Sequence, residues 1–185
     1  SKNTNKKVFL KTNYLIGNIF YETSSFKDGI KYFRRNINNI LKDSTFLDIN
    51  KNKLENKELL LQNYLRLGSS YHRLKERDNL KIYRDSTLYY YNKVINFNDL
   101  DNKIIDTKAM AYSNLSALYI NDTLYDLAKS FAEKSIEIHK SKNDKVNQAA
   151  ALGNLASIYL IEEDYQLAKK LYLEGLELIE KDKSP

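Results

Sequence analysis

The chain has no cysteine, one proline and five glycines in 185 residues. Without cysteine there is no disulfide, no thiolate nucleophile and no thiolate metal site. The scarcity of proline and glycine removes the punctuation that sandwiches, barrels and loop-rich folds need. Imidazole chemistry is confined to His72 and His139. Neither belongs to a nucleophile elbow, a phosphate loop or a paired metal-ligand pattern. Catalysis is therefore not expected, nor is a metal or cofactor. No apolar run approaches the roughly eighteen residues needed to span a bilayer, and no basic start leads into an apolar core as in a signal peptide. The expectation is a soluble segment, cytoplasmic or periplasmic. The first residue is Ser1 rather than Met, which points to an excised domain or a processed protein.

What is present is 42% apolar and 29% charged residues, a balance that fits a continuous helical domain. The net charge of +6 raises the question of nucleic acid. Residues 1–100 hold 19 Lys or Arg against 10 Asp or Glu, and residues 101–185 hold 11 against 14, so the excess lies wholly in the first half. Its members, among them Lys31, Arg34, Arg35, Lys51, Lys53 and Lys57, are scattered. They lack the interleaved aromatic and glycine pattern of an RNA module, which places nucleic-acid binding last among the functions considered.

The chain repeats itself. Asn114, Leu115, Ser116, Ala117, Leu118, Tyr119 return forty positions on as Asn154, Leu155, Ala156, Ser157, Ile158, Tyr159. Tyr125, Asp126, Leu127, Ala128, Lys129 likewise return as Tyr165, Gln166, Leu167, Ala168, Lys169. Self-similarity at this period marks a stack of supersecondary units. Apolar residues at helical spacing predict helices near 145–161 and 165–181, joined by a turn at Glu163 and Asp164, and again near 104–120 and 124–140. A third copy carries Tyr64, Leu67, Gly68 and Tyr71, then Ser86, Leu88, Tyr89, Tyr90 and Val94, with a turn about six residues longer. A fourth carries Ile16, Gly17, Phe20, Phe26, Gly29, Phe33 and Ile37, and a polar stretch from Lys42 to Lys57 joins it to the next. The aromatic anchors Phe20, Tyr71, Tyr119 and Tyr159 are spaced 51, 48 and 40. Small residues recur at the expected helix crossings: Gly17, Gly68, Ser116 and Ala156 on one side, Gly29, Ser86, Ala128 and Ala168 on the other. Close approach of two helices requires them there.

This order of large, Leu-plus-small, aromatic, turn, aromatic and Ala resembles the tetratricopeptide repeat, most closely over 104–182 and more loosely over 10–96. The Trp of the family pattern is replaced by Asn13, Tyr64, Tyr112 and Leu152, the unit-ending Pro is missing, and the period is nearer forty than the family's about thirty-four. The longer period resembles repeats in bacterial peptide-responsive regulators, kinesin light chains and helical sensor regions of Bacteroidetes-type signalling proteins. Wealth in Asn, Lys, Ile and Tyr fits a low-GC bacterium. The resemblance implies an all-α right-handed superhelix of about four helix-turn-helix pairs, in units 5–42, 54–97, 102–141 and 145–182 of one domain spanning 1–185.

It also implies a non-catalytic module that binds a protein or peptide, as the sensing or regulatory region of a bacterial signalling or transcriptional regulator. First helices would line the groove, with Asn18, Arg66, Ser69, Asn114, Ala117, Asn154 and Ser157 facing it and Tyr14 and Gln62 beside them. Asn114 and Asn154 lead these, because an amide can bond a peptide main chain in either direction. The structural alternative, an Asn that bonds its neighbouring helix, stands equally. Arg66, His72 and Arg73 could form a basic cluster for a carboxylate, although Ala150, Asn154 and Tyr14 occupy positions a full carboxylate clamp would fill with bases. Tyr89, Tyr90 and Tyr91 point about 100° apart on a helix, so they cannot form one stacking platform, and one or two of them are expected in the core. The second function considered is self-association, as a homodimer through the last helix, where Leu171, Leu173, Leu178 and Ile179 are followed by no polar cap.

Overall fold

The computed structural model describes residues 2–42, 53–99 and 101–182. Most of the polar link expected between Lys42 and Lys57 lies outside them. The described residues form eight helices and no strand: α1 (Lys2–Glu22), α2 (Phe26–Leu41), α3 (Lys53–Asp78), α4 (Lys81–Ile95), α5 (Asn102–Asn121), α6 (Tyr125–Ser141), α7 (Lys145–Ile161) and α8 (Tyr165–Asp182). Consecutive helices pack as pairs, which is the all-helical repeat arrangement expected. The chain divides into two compact units, Ser1–Thr107 and Lys108–Pro185. In the first, α1 packs on α2, α2 on α3 and α3 on α4; in the second, α6 packs on α7 and α7 on α8. There α5 meets α6 through rings, with Phe131 stacked between Tyr112 and Tyr119.

The turn inside three pairs is the same device. The first helix ends on a residue in the left-handed region, Ser24 (φ 60°), Thr123 (φ 60°) or Glu163 (φ 64°). The next N–H then reaches back to the carbonyl of the aromatic anchor: Ser25 to Phe20 at 2.8 Å, Leu124 to Tyr119 at 2.9 Å, Asp164 to Tyr159 at 2.9 Å. This satisfies carbonyls that the helix end would otherwise orphan, and it ties the anchor's backbone to the turn. The α3–α4 pair departs from it. The six extra residues expected in its turn are helix instead: α3 continues to Asp78, and Asn79 (φ 48°) leads directly to α4.

The anchors work as their spacing predicts. Phe20 stacks on Tyr32 (centroids 5.5 Å), Tyr71 on Tyr90 (5.8 Å, 3° between planes) and Tyr119 on Phe131 (5.5 Å, 9°). Tyr159 packs in the same role against the cluster that holds Leu171. These pairs fix the register of α4, where Thr87 is fully buried and Ser86 is only half-buried. The small crossing residue of this pair is therefore Thr87, one position later than the sequence order indicates. The longer α3–α4 connection hid that shift.

Glycine at the crossing has two reasons. A Cβ on Gly29 would lie 3.0 Å from the carbonyl oxygen of Gly17, so the first pair meets backbone to backbone. Gly68 instead makes room for a ring, since a Cβ there would come within 2.5 Å of Cδ1 of the fully buried Tyr91. The first pair carries both reasons, since a Cβ on Gly17 would come within 2.6 Å of the Phe33 ring, whereas in the second the ring of Tyr91 alone requires the glycine. Of the tyrosine run, Tyr91 is core, Tyr90 is half-buried in a stack with Tyr64 and Tyr71, and Tyr89 is exposed.

Candidate functional site

In the second unit the expected partner-facing residues lie on α5 and α7. Asn154 is half-buried, and its Nδ2 donates to the Ser113 carbonyl (3.0 Å) and Ser113 Oγ (3.2 Å) on α5. The donor half of its amide is spent on the neighbouring helix, so Asn154 offers a partner only its Oδ1 acceptor. Asn114 is also half-buried and takes part in interactions within the chain. Ser157 Oγ is 2.8 Å from both the Gly153 carbonyl and the Tyr172 hydroxyl, which joins α7 to α8.

The environment of these residues is not what their order alone conveyed. Beyond Lys145, α7 has no ionisable acid or base except Tyr159, in a chain that is 29% charged. Its solvent side carries Val146, Ala150, Leu160 and Ile161, all exposed. Gly153 lies among them, and a Cβ added there would meet nothing within 4 Å. The sequence analysis did not single out Val146, Gly153 and Ile161 as members of this solvent side, although the charge-free run from 146 to 161 was visible.

At the start of α7, Asp144 caps the helix, accepting from Asn147 N (3.2 Å) and Asn147 Nδ2 (2.8 Å). The buried His139 places Nδ1 3.2 Å from Asp144 Oδ2. Burial pushes the Asp144 carboxyl up, but the Asn147 hydrogen bonds and His139 outweigh it and hold the group below the usual carboxylate range. His139 is thereby part of the α6–α7 joint, not an exposed imidazole.

In the first unit Asn18, Arg66, Ser69, His72 and Arg73 occupy α1 and α3. Asn18 is half-buried, and its Oδ1 is buried without a partner among the described residues. Ser69 Oγ accepts from the Tyr91 hydroxyl at 3.2 Å. Arg66, His72 and Arg73 do not make an unopposed cationic patch. Arg66 lies 4.9 Å above the Tyr21 ring and 3.6 Å from Glu22, while Arg73 pairs with Glu76 at 2.9 Å. His72 is buried, with Nε2 3.7 Å from Glu76. Hydrogen bonds from Arg73 to Glu76 and then Tyr21 raise its guanidinium pKa further. Acids of the same unit thus oppose this cluster, because α1 brings Glu22 to α3 and one helical turn brings Glu76 to both His72 and Arg73.

Among the described residues, no group of three or more His, Asp or Glu could hold a metal ion, and no helix is long and apolar enough to cross a membrane. Residues 107–181 match the family model of the tetratricopeptide repeat, which takes in most of α5 and all of α6 and α7. No curated protein matches the chain.

Proposed function

We propose that the chain binds a protein or peptide along the solvent side of α5 and α7, since residues 107–181 match the tetratricopeptide repeat, a family of protein-interaction scaffolds. The charge-free face of α7 carries the proposal. Val146, Ala150, Gly153 and Ile161 offer an apolar strip with room beside it, flanked by Asn114, Asn154 and Ser157. Such a strip suits an uncharged stretch of peptide, whose main-chain N–H can donate to Asn154 Oδ1. In the first unit, taken by itself, we propose Asn18, Arg66 and Ser69 as the residues that meet a partner. We place the module in the sensing or regulatory region of a bacterial regulator, on the strength of the long period and the composition.

Gly153→Leu tests the strip without removing an internal bond, since the site has space for the side chain. Peptides selected from a random library against the wild-type chain should lose at least about tenfold in affinity, about 1.4 kcal/mol, for this variant. Unchanged affinity would reject the α7 face. A second function, self-association through α8, is favoured by the exposure of Tyr172, Leu173 and Leu176 on that helix.

A further inference from the structure

Within the second unit, a core cluster joins α6, α7 and α8 through Ala128, Ala132, Leu152, Leu155, Ala156, Ile158 and Leu171. Ile120, Tyr125 and Ile136 pack against it, and Ala132 is fully buried in it. Forty positions on, these four residues return as Leu160, Tyr165, Leu176 and Tyr172, and all four are exposed. The edge formed by α7 and α8 therefore repeats the surface that α5 and α6 present to α7, with a larger residue, Tyr172 for Ala132, at its centre.

The complementary face lies on α1. On α7 the docking side is Ala151 and Ile158, both fully buried, with Asn154 bonded to Ser113. Aligning Gly17 with Ala156 places Thr12, Ile19 and Leu15 at those positions. Ile19 is 62% exposed and Leu15 60%, and Val8, one heptad before Leu15, is exposed too. Leu15 where α7 has Asn154 makes the face more apolar than the one already docked.

We propose that α1 of one copy docks on the α7–α8 edge of a second copy, as α7 docks on α5 and α6, so that the chain associates head to tail. Charge favours a second copy as the occupant. Residues 162–180 carry Glu162, Glu163, Asp164, Glu174, Glu177 and Glu180 against Lys169 and Lys170. Residues 5–22 carry Lys6, Lys7 and Lys11 against Glu22, and the balance stays positive when Glu55, which pairs with Lys7 and Lys11, is counted with them. Opposite potentials on the two faces promote this pairing over α1 with α1 or α8 with α8. The proposal rests on self-association and not on peptide capture. Because the two faces differ, the contact is heterologous and does not close at a dimer by symmetry.

Sedimentation equilibrium from about 10 μM to about 1 mM reads association with dissociation constants in the micromolar to millimolar range, about −7 to −4 kcal/mol. The weight-average mass of the wild-type chain should rise with concentration, without a plateau at the dimer. Leu15→Glu/Ile19→Glu and Tyr172→Glu/Leu176→Glu should each stay monomeric alone. Mixed in equal amounts they should form a one-to-one complex and nothing larger, since each keeps one intact face. A wild-type chain monomeric throughout would overturn the proposal and leave these faces to other segments or partners. A α1 variant that still dimerises would overturn it in favour of a two-fold contact through α8, and a mixture that stays monomeric would overturn it as well. Leu15→Gln and Leu176→Gln repeat the experiment with milder changes, should either double variant lose helical circular dichroism. Peptide capture retained by both variants separates this outcome from failure of the α7 face.

Discussion

The same substitution at two glycines should act with opposite sign. Gly68→Ala places a methyl within 2.5 Å of Tyr91 Cδ1, where carbon atoms normally rest about 3.5–4.0 Å apart. Tyr91 is fully buried, its hydroxyl is held at Ser69, and its own helix fixes its backbone, so the ring cannot swing away. Overpacking of this kind costs about 1–3 kcal/mol, and at so short a separation the upper half of that range applies. Replacing a mid-helix glycine by alanine returns about 1 kcal/mol. The net is a loss of about 1–2 kcal/mol, or a fall of about 2–8 °C in melting temperature for a chain of this length. Gly153→Ala has no neighbour within 4 Å to disturb. It keeps only the helix-propensity gain of about 1 kcal/mol, a rise of about 2–4 °C. Urea and thermal melts followed by circular dichroism read both. A Gly68→Ala chain as stable as wild type would refute the claim that ring packing over Gly68 sets this crossing. A destabilised Gly153→Ala chain would refute the open space at the α7 face.

The turns offer a gain. Thr123 holds φ at 60°, which disfavours a β-branched residue, so Thr123→Asn should add about 1 kcal/mol, seen as a higher urea midpoint; a lower midpoint would count against the turn assignment. Asn154→Ala removes the bonds to Ser113 and should cost about 0.5–1.5 kcal/mol, whereas an Asn that served only a partner would cost nothing measurable in the unliganded chain. The Asp144 carboxyl titrates below its ordinary 3.8 in the folded chain. Its charged form therefore contributes stability above that pH, and the contribution fades as pH falls through the lower folded value. Asp144→Asn keeps a capping side chain but not the charge, so its stability should depend less on pH than wild type below about pH 4; parallel pH profiles would show that Asp144 does not titrate as described.

Much of the fold was legible because repeat residues are packing residues. Phe20, Tyr71, Tyr119 and Tyr159 announce themselves by recurrence; the first three are found against the second helix of their pairs, and Tyr159 against the cluster that joins α6, α7 and α8. The helix limits near 145–161 and 165–181 follow from apolar spacing and hold in α7 and α8. The α4 register was not legible, because Ser86 and Thr87 are both small and only the ring packing of α4 on α3 decides which one turns inward. The basic residues of α3 carried the same ambiguity. In the sequence Arg66 and Arg73 fit either a solvated charged face or a site for an external carboxylate, and the fold brings Glu22 and Glu76 to them.

By itself the sequence determined the helical pairs, their anchors and their family likeness, since periodicity along one chain records which side of each helix is buried. Only the tertiary structure decided what the polar residues do. An amide or guanidinium takes whichever partner comes within about 3 Å, and neighbouring helices, distant in sequence, supply it. Ser113 therefore claims the donor of Asn154, and the charge-free side of α7 stays open to solvent, which is why we propose it as the partner surface.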